Sequence, residues 1–355
     1  MRVLAVYPEA ACTKVAVWDD GVLHTADIAW GEQTASYLQT NITEWLHSIS
    51  IPVHSLQAVV TRGGYLQPIK SGVYEINDLM VHDSEKGLCG WHPANLGPVV
   101  GSFFMELLGI PGYVVDPISV NEVWAKAMVT GCPEMMRNSC GHALSIRYAA
   151  QKGAQEHQIP LKTSRFVVAY LSTEINIASV VGGRIVDLNN ANDEGPFSLE
   201  RAGGLPFASL LELCAKTGNE EETLNIVLKQ SGLKGYLGVS DWREAEERTD
   251  QFGQLVYEAM IYQISKEIGA YAAALKGNLD GIILTGEMIH SDHVVNRIRE
   301  RIGFLGKIML YPGDYHLHSL IEGALRVLNK KEVAKIYPEE SDNHGFYRTT
   351  RQSVS

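Results

Sequence analysis

"VLAVYPEAACTKVAVWDDGVL" (residues 3–23) and "FVVAYLSTEINIASVVGGRIV" (166–186) lie one over the other without a gap. Each opens with apolar and β-branched residues that read as a strand. Each passes through a short loop into a second strand and then meets a two-residue hairpin signal, Asp20-Gly21 or Gly182-Gly183. The placement sets Tyr7 on Tyr170, Val17 on Val180 and one hairpin turn on the other. Any two hairpins share some of this pattern. The ungapped length, at a similar place in each half, favours a duplicated α/β domain with a cleft between the copies.

The rest of the chain alternates strands with helices, which is the α/β pattern. Further strands are expected at 58–61, 113–115, 281–284 and 307–310. Helices are expected at 36–48, 94–108, 139–157, 253–275, 292–302 and 315–328, and in "QFGQLVYEAMIYQISKEIGAYAAALKG" apolar residues recur at spacings of three and four, as in a long, mostly buried helix. The expected division is a first domain of residues 1–140 plus 314–335, a second of 141–313, and a mobile polar tail of 336–355.

Composition bounds the function. The chain has 355 residues, more than one ordinary core accommodates and suited to two domains. Hydrophobic content of 45% and charged content of 20% place it among soluble globular proteins. The formal charge is −11, and no Lys/Arg run exceeds two residues, which argues against a nucleic-acid partner. Five cysteines, Cys12, Cys89, Cys132, Cys140 and Cys214, include no pair at ribbon spacing. A zinc ribbon or disulfide framework is not expected, and a reducing cytoplasm is. The N-terminal "MRVLAVYPEA" is no signal peptide, and no segment reaches the ~18 apolar residues of a membrane span.

Four stretches set a reactive side chain beside a strand end or a helix start. Arg62 follows the apolar strand of "VVTRGG", and Asp116 ends "YVVDP". Arg201 precedes two glycines in "SLERAGGLP", and His142 opens a helix in "NSCGHALS". Ligands of open α/β sheets gather outside the carboxyl ends of strands. Arginine suits a carboxylate or phosphate, since its planar fork bonds two oxygens at once. Each residue also has a plainer reading. Arg62 serves as a surface charge, Asp116 caps a turn, His142 is structural, and Arg201 pairs with Glu200 or Glu194.

Together with "TRGGYLQPIKSGVYEIN", "GWHPANLG", "GHALS", "IVDLNNANDEGPFSLERAGGLP", "ILTGEMIHSD" and "LYPGDYHLHSLIEGALRVL", these stretches resemble butyrate kinase and the related acetate kinases, over about residues 1–330. The resemblance implies the acetate and sugar kinase/Hsp70/actin fold, with two duplicated domains around a nucleotide cleft and a homodimer or higher oligomer. It implies a phosphotransferase reaction in which ATP, with Mg²⁺, phosphorylates a short-chain carboxylate to an acyl phosphate. It implies that Arg62 holds the carboxylate, that Asp116 is catalytic, and that His142 and Arg201 steady the phosphoryl group. His92 and Asn95 fall in the substrate-side motif. Thr13, Lys14, Ser172, Thr173 and Gly286 fall in the nucleotide loops, and Asp314 takes the place of an acidic residue near the metal.

The nucleotide loops depart from the family pattern. In the first, Tyr7 replaces Asn and Glu9 replaces Gly. In the second, Tyr170 replaces His, and Ser172, Thr173 and Glu174 replace glycines. In the third, Glu287 replaces the second Gly of a pair. Glycine lets backbone approach phosphate closely, whereas a carboxylate brings bulk and like charge. Two readings follow, an acyl kinase with an altered donor site and a non-catalytic relative that keeps its carboxylate or acyl phosphate pocket. The second would act as a sensor or as the partner subunit of an active paralogue. A third possibility is that the glutamates recruit Mg²⁺ or Ca²⁺, which prefer oxygen ligands.

Overall fold

The computed structural model describes residues 1–338. Its strands are β1 (Arg2–Pro8), β2 (Cys12–Asp19), β3 (Val22–Ala29), β4 (Ala58–Thr61), β5 (Val73–Glu75), β6 (Gly112–Val115), β7 (Arg165–Leu171), β8 (Ile175–Val181), β9 (Arg184–Leu188), β10 (Gly281–Gly286), β11 (Ile308–Pro312) and β12 (Lys335–Ile336). Seven of them form a sheet in the order β12-β5-β6-β4-β1-β2-β3, and five form a second sheet in the order β11-β10-β7-β8-β9. The chain divides into two compact units. One is Met1–Glu122 with the segment from Tyr315 onward, and the other is Val123–Asp314. The change of unit comes earlier than residue 140, and Asp314 closes the second unit.

The two sheets share a plan. β1 pairs antiparallel with β2 and parallel with β4, while β7 pairs antiparallel with β8 and parallel with β10. β1 and β7 are apolar along nearly their whole length because both faces are covered, and all but the first residue of each is buried. In the first unit Leu4, Val6, Val15 and Val17 pack with Leu38, Ile42 and Leu46 of the helix Ala35–Ser48 and with Val100 and Phe104 of the helix Leu96–Leu108. The spacing of four in Leu38, Ile42 and Leu46 puts them on one helix face. In the second unit Val167, Ala169, Ile175 and Ile177 pack with Ile261, Ile264 and Ile268 of the helix Gln251–Ala274.

The hairpin turns adopt the left-handed backbone that their sequences favour, with φ of 43° and 106° at Asp20 and Gly21 and of 61° and 76° at Gly182 and Gly183. The ungapped placement nevertheless needs correction at this point. β2 has eight residues and β8 has seven, so the second hairpin reaches its turn one residue sooner. The loops 9–11 and 172–174 do superpose in sequence, each following its first strand directly.

Other differences concern short elements. The helix expected from residue 139 starts at Ala143, leaving His142 as its N-cap residue rather than a first-turn residue. The strands β5 and β12 and the helices Asp78–Lys86, Phe207–Thr217, Glu220–Lys229, Gly232–Leu237 and Trp242–Glu246 were not expected. Most are short, and of the two longer helices Phe207–Thr217 has no buried residue and Glu220–Lys229 only Thr223 to mark a core face. The expected tail begins as ordered structure. β12 adds to β5, and Tyr337 is buried, its hydroxyl donating to Asp83 Oδ2 at 2.6 Å. Residues 339–355 of the expected tail lie outside the described residues.

Candidate active site

In the first unit the end of β1 and the end of β4 are neighbours in the sheet, which brings Tyr7 to Arg62. The guanidinium carbon of Arg62 lies 4.5 Å from the centroid of the Tyr7 ring, and its Nη1 donates to Pro8 O at 3.4 Å. Arg62 is buried, so the surface-charge reading fails. The Tyr7 ring also stacks on His316 at 4.1 Å with a 12° tilt. His316 is the first residue of the helix His316–Leu328 and is buried. Its Nδ1 stands 3.3 Å from Glu9 Oε1, and Lys14 Nζ stands 3.9 Å from Glu9 Oε2. Burial alone would raise the Glu9 carboxyl. Hydrogen bonding and charge from His316, with Lys14 and Arg62, outweigh burial and hold it below the ordinary glutamate value.

The two glycines after Arg62 are explained by close packing. A Cβ on Gly63 would fall 2.6 Å from Pro117 Cβ, and one on Gly64 would fall 1.9 Å from Asn95 Oδ1. Asn95 is fully buried. It accepts from Tyr65 N at 3.0 Å and donates to Ser84 O and Gly90 O, so its amide fixes the loop beside Arg62. His92 Nδ1 accepts from Ala94 N at 3.0 Å and caps the turn Pro93–Asn95. Asp116 is buried at the end of β6 with φ of 40°. A non-glycine residue held there is strained, and such strain concentrates at functional positions. Its Oδ1 accepts from Gly72 N at 2.7 Å. Thr13 is fully buried, and its hydroxyl has no hydrogen-bond partner among the described residues.

In the second unit the alternation of β8 sorts its side chains. Ile175 and Ile177 join the core, so Glu174 and Asn176 take the opposite face. Asn176 Nδ2 donates to Asn189 O at 2.9 Å, which fixes its oxygen toward His142. That oxygen accepts from His142 N and lies 2.8 Å from His142 Nδ1. Since that oxygen only accepts, His142 Nδ1 carries a proton, which leaves Nε2 as the ring's other polar atom. The ring stacks on Tyr170 at 4.4 Å with a 24° tilt. Glu174 Oε1 accepts from Arg201 Nη2, and Glu174 Oε2 lies 3.9 Å from His142 Nδ1. Arg201 Nη1 donates to Asn192 Oδ1. Arg201 thus pairs with neither Glu200 nor Glu194. Glu200 takes Lys234, and Glu194 takes Arg137.

The third loop shows why one of its glycines is needed. Gly286 has φ of 101°, and a Cβ there would lie 2.3 Å from Leu171 O, the residue just before Ser172. Gly286 and Gly313 exchange backbone hydrogen bonds of 3.0 and 3.1 Å. Glu287 is half-buried and opens the turn Glu287–His290. Ser172 N donates to Glu174 O at 3.2 Å and tightens the second loop, while Thr173 at its tip is exposed.

Several residues of these clusters were not picked out from sequence. His316, Asn176, Asn189 and Asn192 all stood inside quoted stretches, but their pairing is long-range. Arg137 carried no signal at all. It donates to Glu194, Asp187, Leu188 O and Ala127 O, tying together the segment that leads to Arg201. Burial disfavours its charge, and the carboxylates of Glu194 and Asp187 more than restore it.

Among the described residues no group of three or more His, Cys, Asp or Glu side chains stands ready for a metal ion. The glutamates Glu9, Glu174 and Glu287 therefore build no metal cage. Mg²⁺ in phosphoryl transfer commonly takes one or two carboxylates plus water and phosphate oxygens. The half-buried Asp314, next to Gly313, fits that smaller demand.

Residues 132–312 match the model of the acetokinase family. The chain is 39% identical over 351 residues to probable butyrate kinase 2 of Caldanaerobacter subterraneus subsp. tengcongensis, covering 95% of this chain and 99% of that one. The fold is similar to crystal structures of Porphyromonas gingivalis acetate kinase (TM-score 0.76, 17% identity, 92% and 99% of the two chains) and of a propionate kinase from Francisella tularensis subsp. tularensis (0.76, 16%, 90% and 98%). The architecture is thus that of the acetate and sugar kinase/Hsp70/actin class, and the duplicated hairpin is its mark. With the extent of that match along the chain, this protein belongs to the acetokinase family.

Proposed function

We propose that the chain is a short-chain carboxylate kinase of the butyrate kinase type, converting ATP and a short fatty acid into ADP and an acyl phosphate. A carboxylate oxygen attacks the γ-phosphorus, the new P–O bond forms, and the bond to the β–γ bridging oxygen breaks, its electron pair leaving with ADP. Little covalent chemistry falls to the protein, so positioning and charge neutralisation carry the rate. Arg62, braced on Tyr7, holds the carboxylate. Asp116, fixed in a strained backbone by Gly72 N, is the catalytic acid residue of the first unit. Asn95 and His92 act by shaping the adjoining loop. His142, oriented by Asn176, meets the phosphoryl group through Nε2, and Arg201 neutralises its oxygens. Lys14, Ser172, Thr173 and Gly286 belong to the loops assigned to the nucleotide, with Thr13 acting from beneath. Bound Mg²⁺, held through Asp314, would supply further neutralisation of the phosphate oxygens. The same reading carries a cytoplasmic location and a homo-oligomer.

The supporting observation is the 39% identity to a probable butyrate kinase over nearly the whole chain. The test is acyl hydroxamate formation from butyrate, isobutyrate and longer acids with Mg·ATP. Product above background supports the reading. No product with any common nucleotide or with pyrophosphate overturns it.

A second reading rests on where the loop glutamates point. Glu9 and Glu174 do not swing into solvent. Glu174 neutralises Arg201, a cation that a phosphate would otherwise meet, and Glu9 is turned to the buried His316. A non-catalytic relative would keep the carboxylate or acyl phosphate pocket and work as a sensor or as a partner subunit of an active paralogue. Its melting temperature would rise with acyl phosphate and stay fixed with Mg·ATP, because only a ligand of the native state stabilises it. A clear Mg·ATP shift counts against it.

A further inference from the structure

We infer that Glu174 is a specificity-determining residue, a built-in counter-anion on Arg201 of the second unit that competes with a phosphate for that guanidinium. The inference rests on the kinase reading for the roles of Arg201 and His142, but the contact itself is a matter of geometry. One carboxylate oxygen of Glu174 takes Arg201 Nη2, while the other faces His142 Nδ1 at 3.9 Å. A carboxylate presents two negatively charged oxygens in a plane, as any face of a phosphoryl group presents two of its three. The carboxylate therefore sits as a surrogate ligand on Arg201, beside His142 Nδ1, which is itself bonded to Asn176 Oδ1.

The backbone aims the side chain toward this face. The turn closed by Ser172 N and Glu174 O sets Glu174 directly ahead of β8. Strand alternation then directs it to the face shared with Asn176, away from Ile175 and Ile177. Arg201 is held from its other side by Asn192, and His142 by Asn176. The side chains of Arg201 and Glu174 are 18% and 37% exposed, so a soluble anion can reach the pair and compete. Each terminal nitrogen of the guanidinium already has one N–H engaged, so a phosphate that takes the Nη2 donor facing Glu174 competes with that carboxylate. A glycine at this position, as the family pattern has, would leave Arg201 without the internal rival.

The test uses the full chain and inorganic phosphate, followed by titration calorimetry. Glu174→Gln removes the charge at nearly constant volume. It should bind phosphate roughly tenfold or more tightly than the unaltered protein, the worth of one charge-assisted hydrogen bond released for the ligand. The gain should vanish in Glu174→Gln/Arg201→Met, which shows that it arises at Arg201. Melting curves monitor folding, and Glu174→Ala with the same titration keeps the test standing if the glutamine variant folds poorly. Equal phosphate affinity with and without Glu174, or a gain that survives loss of Arg201, overturns the inference. Hydroxamate assays run separately distinguish the two claims. A silent enzyme whose phosphate affinity rises in Glu174→Gln sinks the kinase reading alone, and an active enzyme whose phosphate affinity does not change sinks this inference alone.

Discussion

The loops after β1 and β7 occupy equivalent places in the two units and answer the same replacement differently. Each strand ends on a tyrosine that stacks against a histidine from the start of a helix, Tyr7 on His316 and Tyr170 on His142. Each loop carries a glutamate aimed at cations. In the first unit the partner is a buried histidine, and the carboxyl is held below its usual range. In the second unit the partner is an arginine within reach of solvent. The first arrangement resembles a structural ion pair, which desolvation makes hard to break. The second is a screened pair, of small net worth to stability and open to competition. One ancestral hairpin has acquired a brace in one copy and a rival for ligand in the other.

The largest expected effect breaks the second copy's function. Arg201→Ala should lower the rate of hydroxamate formation roughly a hundredfold or more, the usual cost of losing one preorganised charge donor. Its melting temperature should move little. A variant that keeps full turnover would detach Arg201 from the chemistry.

Next is the backbone that seats the second loop. Gly286→Ala should cost roughly 3 kcal/mol of stability, because the new methyl meets Leu171 O at 2.3 Å and the residue needs φ of 101°. Among the described residues no glycine of this kind supports the first loop from outside it, so the comparison predicts so stiff a seat in the second unit. Denaturant unfolding measures this, and a loss under 1 kcal/mol would contradict it.

The glutamates themselves should differ by a smaller amount. Glu9→Gln should cost about 1 kcal/mol at neutral pH. Since the folded carboxyl lies below its unfolded value of 4.5, this contribution is present above that value and fades as pH falls through the folded pKa. Melting curves of the two proteins should converge on acidification. Glu174→Gln should change stability by roughly 0.5 kcal/mol or less. Equal costs for the two substitutions would erase the contrast.

Last, Asn176→Ala should alter the pH profile of turnover while shifting kcat only severalfold, as His142 loses the acceptor that fixes its tautomer. An unchanged profile would show that the stack on Tyr170 is sufficient to hold the ring.

The sheet strands were readable because buried parallel strands are apolar on both faces, as in β1 and β7, and because two-residue turns announce themselves at Asp20-Gly21 and Gly182-Gly183. The one-residue difference between the hairpins was readable and was missed, since the offset that sets Tyr7 on Tyr170 puts Asp20-Gly21 on Gly183-Arg184 rather than on Gly182-Gly183. Arg62, Asp116, His142 and Arg201 were found because glycine, proline or a helix start flanks each. Their supports were not, because Asn176, Asn189, His316 and Arg137 act through partners distant in sequence. The sign of the loop glutamates was plain, and their direction was not. Repulsion toward phosphate was the natural expectation for an open loop, yet the fold supplies Glu174 with Arg201 and turns Glu9 toward His316 and Lys14.

β12 closes the first unit's sheet with residues from the far end of the chain, and Tyr337 fastens that end by its hydroxyl to Asp83 and by its carbonyl to Asn77. During synthesis the second unit is therefore made whole while the first still waits for its last strand. The edge of β5 must be shielded by other means until residues 335–337 leave the ribosome, which makes this seam the natural place for a chaperone to act or for a truncated chain to aggregate.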